Sequence, residues 1–315
     1  MSGKMATREA YGKALADLGA SNSQVVVLDA DLSKSTKTAD FAKVFPERFF
    51  NLGIAEQNLM GTAAGLAAAG KIPFASTFAV FATGRAFEQI RNSIAYTRLN
   101  VKIAATHAGV TVGEDGGSHQ SVEDIALMRS LPNMTVFVPA DEAETRGAVR
   151  AAAQMEGPVY IRLGRAGVPP VHGAGFRFVP GKAVVLREGR DAAILATGIM
   201  VPAALEAAAS LAGEGIETRV ISVHTVKPLD LEAVAAAARE TGALVTAEEH
   251  SIIGGLGAAV CEAVCESCPV PVKRVGLPDV FGESGKPAEL LEKFGLTPAG
   301  IAGAVREAVK LKRKT

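Results

Sequence analysis

Short apolar, β-branched runs alternate along this chain with alanine-rich segments. The runs VVVLDA (25–30), IPFAST (72–77), VKIAAT (101–106), TVFVPA (135–140) and PVYIRL (158–163) read as strands. Between them the pattern predicts helices over 55–69, 84–98, 121–130 and 141–154. The last opens with Asp141 and carries Glu142 and Glu144 in its first turn, where the helix dipole favours negative charge. Strands alternating with helices imply βαβ units and a mostly parallel sheet.

The alternation stops at about 164–182, where GRAGVPPVHGAGFRFVPGK is dense in Gly and Pro and has no helical period. Such composition marks a linker. Beyond it come strands at 183–186, 192–197, 218–223, 243–248 and 271–276, with helices over 201–213, 230–240, 256–266, 286–294 and 297–312. The expected fold is therefore α/β, with two doubly wound, mostly parallel sheet domains. The first covers 1–170, a linker covers 171–187, and a smaller second domain covers 188–315. In open parallel sheets ligands sit beyond the carboxyl ends of the strands, so the loops that follow strands are where chemistry is expected.

Composition narrows the class. Hydrophobic residues make up 48% of the 315 and charged residues 21%, as in soluble globular proteins. Lys plus Arg (33) balance Asp plus Glu (33), which leaves no electrostatic footprint for nucleic acid or an anionic membrane. No apolar run reaches bilayer-spanning length, and the first residues show no signal-peptide core. Cys261, Cys265 and Cys268 lie in one stretch, without an obvious fourth ligand for a metal or cluster. They read as ordinary thiols, mainly core, and their odd number fits a reducing cytoplasm.

Four segments carry residues suited to chemistry. In NLGIAEQN (51–58), Glu56 begins an Ala- and Gly-rich helix. It could simply favour the helix dipole. A helix that thin can also pack against another chain, burying the carboxyl for use as an acid or hydrogen-bond donor. In ASTFAVFATGR (75–85), Phe78 and Phe81 are either core or a wall for a flat ring. The segment THAGVTVGEDGGSHQSVED (106–124) holds two of the five histidines, His107 and His119, with Glu114, Asp115 and several glycines. Glycine lets backbone approach a ligand closely. A solvated loop is the bland alternative, and the histidine spacing matches no standard zinc site. Arg8, Ser33, Ser35, Arg162 and Arg165 are suited to phosphate, though single surface arginines are common. GGLGAAV (254–260) is an incomplete dinucleotide fingerprint, explained as well by glycines opening a helix.

Taken together, NLGIAEQN, the STF-x-x-F segment, THAGVTVGEDGGSHQSVED and EEHSIIGGLG (248–257) resemble transketolases, in the same order and over essentially the whole chain. VGEDG-x-x-HQ is the most specific part. The resemblance implies the pyrimidine-binding fold of a thiamine-diphosphate enzyme followed by a transketolase C-terminal-like domain. The family's diphosphate-binding domain, with its GDG motif, has no counterpart here. The chain thus resembles the C-terminal subunit of a split transketolase, which transfers a two-carbon ketol unit between sugar phosphates. The implied cofactors are thiamine diphosphate and Mg2+ (or Ca2+), the ion being held mainly by an N-terminal partner subunit in an α2β2 assembly.

By the same resemblance, Glu56 contacts N1′ of the aminopyrimidine and His119 works beside the donor hydroxyl. Phe81 stacks on the pyrimidine, Phe78 lines its pocket and Asp31 lies near the cofactor. Asp115 reads the sugar C2 hydroxyl, while Arg8, Ser35, His107 and Arg162 bind the substrate phosphate. No metal ligand is assigned within this chain. Two departures are a missing pocket aromatic at Gly84 and Ala108 in place of a common Asp. The alternatives are a deoxyxylulose-phosphate-synthase-like or oxo-acid-dehydrogenase β-type subunit, a non-catalytic assembly subunit, and a nicotinamide-binding protein.

Overall fold

A computed structural model describes residues 3–173 and 175–312. Its strands are β1 (Met5–Ala6), β2 (Val25–Asp29), β3 (Phe49–Asn51), β4 (Ile72–Phe78), β5 (Lys102–Thr106), β6 (Thr135–Phe137), β7 (Val159–Arg162) and β8 (Gly167–Val168). They continue with β9 (Val184–Arg187), β10 (Ala192–Ala196), β11 (Thr218–Ser222), β12 (Thr225–Lys227), β13 (Leu244–Ser251) and β14 (Val272–Leu277). One sheet has seven strands in the order β12-β6-β7-β5-β4-β2-β3, and a second has five in the order β14-β13-β10-β11-β9. Neighbours are parallel except β12 beside β6 and β9 beside β11. β1 and β8 form a small antiparallel pair.

Strand β2 shows why the apolar runs are continuous rather than alternating. Val26 and Leu28 join the core on one face of the large sheet, with Leu59, Met60, Ile90 and Ile103. Val25 and Val27 join the core on the other face, with Tyr11, Leu15, Phe41 and Val149. A parallel sheet covered on both faces buries both sets of alternate side chains. Each such burial is worth roughly 1.5–3 kcal/mol.

Most expected elements are present within a residue or two. Asp141 caps its helix by accepting a hydrogen bond from the Glu144 N–H at 2.9 Å. Helix Thr7–Ser21, strand β3 and strand β12 were not foreseen. The segment expected to be helical over 84–98 contains two wide turns, Phe81–Arg85 and Ile90–Ala95, around a short helix at Phe87–Gln89. The Ala86 N–H reaches back five residues to the Phe81 carbonyl. Cys265 is exposed and Cys261 half-buried on helix Leu256–Ser267, while Cys268, just past its end, is half-buried against the core, so only Cys268 fits the expectation of core thiols.

The two sheets are fastened through the connecting segment. Buried Glu144 accepts from the Ala140 N–H, from His172 Nε2 and from Ser222 Oγ, each at 2.7 Å. Asp141 receives the Val171 and His172 N–H groups at 2.9 and 3.1 Å. The second sheet begins with β9, inside the segment read as the linker. Strand β12, from the later part of the chain, completes the edge of the first sheet beside β6.

Candidate functional site

The carboxyl ends of β2, β3, β4, β5 and β7 lie side by side. The loops leaving them bring most of the expected residues together. After β2, buried Asp29 shapes the turn: its carboxylate accepts from the Leu32 N–H at 2.6 Å, Thr36 Oγ1 at 2.7 Å and Thr38 Oγ1 at 2.9 Å. Burial pushes the Asp29 carboxyl up from its ordinary pKa, against those bonds. Asp31, at φ +64°, is exposed and paired with Asn51, the last residue of β3, through two hydrogen bonds of 3.0 and 3.1 Å. Ser35 is half-buried, and its carbonyl accepts from Arg8 Nη1 at 2.8 Å.

Glu56 begins helix Glu56–Ala68 and is 2% exposed. Its Oε2 accepts from Arg85 Nη1 at 2.9 Å. The same guanidinium lies 4.5 Å from the centre of the Phe81 ring. A planar N–H donor thus already rests on the aromatic face with its edge against the carboxylate. His119 approaches Phe81 edge-on at 5.4 Å. These residues, with Asp31, Leu32, Ile54 and Ser118, line a cleft of about 430 Å³. Sequence alone gives Arg85 no role; the signal for it is its place beside Gly84, where the resemblance expects a pocket aromatic.

Phe78 closes β4 and is buried between Phe81, at 5.9 Å, and the His107 ring, at 3.8 Å. His107 adopts φ +57°, which is uncommon for a residue with a side chain and typical of functional turns. Thr106 Oγ1 holds Nδ1 at 2.8 Å, and Arg8 Nη1 lies 3.4 Å from Nε2. Burial first, then the charges of Arg8 and Arg165, lower its pKa to about 3, so the ring is neutral at physiological pH. Arg8 is half-buried, and its Nε has no hydrogen-bond partner among the described residues. Burial, then Arg165, lowers the pKa of Arg8. Two guanidiniums that raise each other's cost, one with an orphaned donor, suit an anion.

Arg165 pairs with Asp115 at 3.3 Å and donates to the Val112 carbonyl. It therefore belongs to this pocket, although the resemblance gave it no counterpart. Arg162, which that reading assigned to phosphate, does not. It is 6% exposed and points between the domains, with Nε on Asp124 Oδ2 at 2.8 Å and Nη2 on the Glu249 carbonyl at 2.8 Å. Its Nε and Nη2 are engaged by protein groups beneath the loop, and it does not line the cleft.

The second domain roofs the 107–120 loop. Gln120 Nε2 donates to the Glu283 carbonyl at 2.8 Å and the Gly113 carbonyl at 3.1 Å. The GGLG segment holds no phosphate seat: the Glu248 carboxylate already accepts from the Leu256 and Gly257 N–H groups, both at 2.7 Å. Among the described residues no cluster of three His, Cys, Asp or Glu side chains suits a metal, and no helix is long and apolar enough to cross a membrane.

Comparison with known proteins assigns this architecture. Residues 3–170 match the family model for the transketolase pyrimidine binding domain, and residues 181–301 that for the transketolase C-terminal domain. A Methanocaldococcus jannaschii chain named as a transketolase C-terminal section is 50% identical over 306 residues, 96% of each chain. A solved split-gene transketolase, described as an inactive beta4 tetramer, superposes with a TM-score of 0.92 at 63% identity, covering 99% of this chain and 100% of the other. Transketolase from Leishmania mexicana superposes with a TM-score of 0.84 at 30% identity, over 98% of this chain but 46% of that one.

Proposed function

This chain belongs to the transketolase family and carries its pyrimidine-binding and C-terminal domains, and from that premise we propose that it is the C-terminal subunit of a split transketolase. Joined by an N-terminal subunit, it transfers a two-carbon ketol unit from a ketose phosphate to an aldose phosphate in the cytoplasm. The partner supplies the diphosphate- and Mg2+-holding groups, and two copies of each subunit form the working assembly. The split-gene relative supports this reading, since its four-copy form is described as inactive.

One observation carries the proposal: a cleft pairing a buried carboxylate with an aromatic face opens beside a pocket of two arginines and a neutral histidine. The residues fit an aminopyrimidine. The Arg85 guanidinium, planar and N–H-donating, already occupies the Phe81 face and the Glu56 carboxylate, so a flat heterocycle with a donor edge would take its place. Bound there, thiamine diphosphate would supply a nucleophilic carbon outside the reach of amino-acid side chains. Glu56 would hydrogen-bond the edge of that heterocycle, and Phe81 would offer its face for stacking. His119, at the cleft edge, accepts or returns a hydroxyl proton of the sugar. Arg8, Arg165 and neutral His107 bind the terminal phosphate, and Asp115 lies beside them to receive a sugar hydroxyl. Asp31 borders the cleft, and Ser35, from the following turn, holds Arg8 through its carbonyl.

Substitution of Glu56 by Gln keeps the shape and removes the ionisable proton. In the reconstituted enzyme, kcat for ketol transfer should fall by at least about a hundredfold, within the usual range for acid–base groups, while the two subunits still co-elute. Near-normal kcat in that variant would remove Glu56 from the chemistry.

A further inference from the structure

We infer that Glu249, a residue of the second domain, is a positioning residue for the substrate-binding loop of the first: its carboxylate clamps the turn at 109–111 and so sets His107 on one side and Asp115 on the other. The inference rests on the reaction proposed above. Glu249 lies on β13 and is 2% exposed. Its Oε1 accepts from the Thr111 N–H at 2.7 Å. Gly109 has φ +82°, and a Cβ there would fall 2.2 Å from the Glu249 carboxyl carbon, so the carboxylate occupies the space a side chain at 109 would need. On its other side the turn is tied by the Gly109 N–H to the Ser121 carbonyl, at 2.8 Å.

Arg162 explains how the clamp is held. Its Nη2 donates to the Glu249 carbonyl at 2.8 Å and lies 3.5 Å from the Ser121 carbonyl, while Nε binds Asp124 at 2.8 Å. Tyr160 donates its hydroxyl to the same Asp124 oxygen at 2.7 Å. The groups facing Glu249 are thus Arg162 from β7, Asp124 from helix Asp124–Ser130, and the N–H and side chain of Thr111 from the loop, with Tyr160 behind Asp124. None of these residues lines the Glu56–Phe81 cleft, which makes the cluster a positioning one.

The clamp has a charge state. Burial raises the Glu249 carboxyl to about 7, opposed by Arg162 and the Thr111 N–H and assisted by Asp124. Ionised, it holds the Thr111 N–H by a charge-assisted bond; protonated below that pH, it loses the charge and holds the turn less firmly. A loop that relaxes in this way loses ground-state contacts to the sugar phosphate. The expected signature is a donor KM that rises as pH falls through about 7, with kcat less affected.

Two variants separate this role from simple support. Glu249→Gln keeps the shape and an acceptor oxygen but has no proton to lose. Glu249→Ala removes the clamp. In the reconstituted enzyme, Glu249→Gln should flatten the pH dependence of donor KM between about pH 6 and 8, and Glu249→Ala should raise KM about tenfold or more at every pH. Hydrogen–deuterium exchange on the chain itself, followed in peptides spanning 107–121, should rise several-fold in Glu249→Ala and little in Glu249→Gln at pH 6. Unaltered exchange in Glu249→Ala overturns the clamp, whatever the reaction is. Altered exchange with an unchanged KM profile in Glu249→Gln overturns its role in substrate positioning. If ketol transfer were absent from every preparation, the proposed reaction would fail, and the exchange result would still decide the clamp.

Discussion

Arg162 and Arg165 are three residues apart, and the fold gives them opposite roles. Arg162 is the last residue of β7, and its side chain runs into the interface beneath the sheet edge. Arg165 lies in the following loop, free to turn back over Val112 and Asp115. Strand periodicity cannot say which face of β7 looks into the cleft, because both faces are buried and both sets of side chains look alike in sequence. This is why the sequence could not tell that Arg162 faces the interface, whereas the nearness of Glu56, Phe81, His107 and His119 follows from their positions at or just beyond the carboxyl ends of parallel strands. Arg165→Ala should raise KM for phosphorylated donors about tenfold or more with little change in kcat, as loss of a charged hydrogen bond predicts. Arg162→Ala should instead leave Asp124 buried without its cation and cost about 3–5 kcal/mol in denaturant unfolding. The reverse pattern, KM rising in Arg162→Ala and stability unchanged, would contradict this assignment.

Among elements, helix Glu56–Ala68 shows where sequence and structure inform each other. Its alanines and glycines predicted a thin helix. In the structure a Cβ added at Gly61 or Gly65 meets nothing within 4 Å, so the slender face is uncovered in the single chain. Ile54, at its N-terminal approach, is 79% exposed. An open glycine face beside a buried functional carboxylate suits close approach by another chain. Gly65→Leu should leave the isolated chain folded, and even favour the helix by up to about 1 kcal/mol. It should disrupt assembly in sedimentation experiments; an unchanged sedimentation coefficient would place the subunit contact elsewhere. Other elements were hidden for physical reasons. Strands β3 and β12 are three residues long, too short for a period-2 signal, and the wide turns Phe81–Arg85 and Ile90–Ala95 keep a near-helical spacing that a period-3.6 reading does not separate from an α-helix. Helix Thr7–Ser21 places Arg8 in its first turn and fastens it through Thr7 Oγ1, which accepts from the Gly164 N–H at 2.7 Å. That contact joins residues 157 positions apart and leaves no local trace in the sequence.

On the scale of the whole molecule, the division into two α/β domains was readable from the Gly- and Pro-rich break, but their interlock was not. Strand β12 crosses into the first sheet, Glu144 gathers the connecting segment, and Glu249 reaches the substrate loop. Each is a long-range pairing fixed by packing rather than by local pattern. The arrangement gives the second domain a use beyond bulk: it roofs and fixes the loop that carries His107, Asp115 and His119. It also leaves the Glu56–Phe81 cleft facing outward from the chain, as expected of half a site. The central claim is that this half becomes an enzyme only when the other is supplied. The direct test is a coupled ketol-transfer assay with xylulose 5-phosphate, ribose 5-phosphate, thiamine diphosphate and Mg2+, run on this chain alone and mixed with an N-terminal subunit bearing the diphosphate-binding domain. Turnover that appears only in the mixture, and disappears again with Glu56→Gln, is the predicted result; turnover by this chain alone, or a mixture that never turns over, would contradict it.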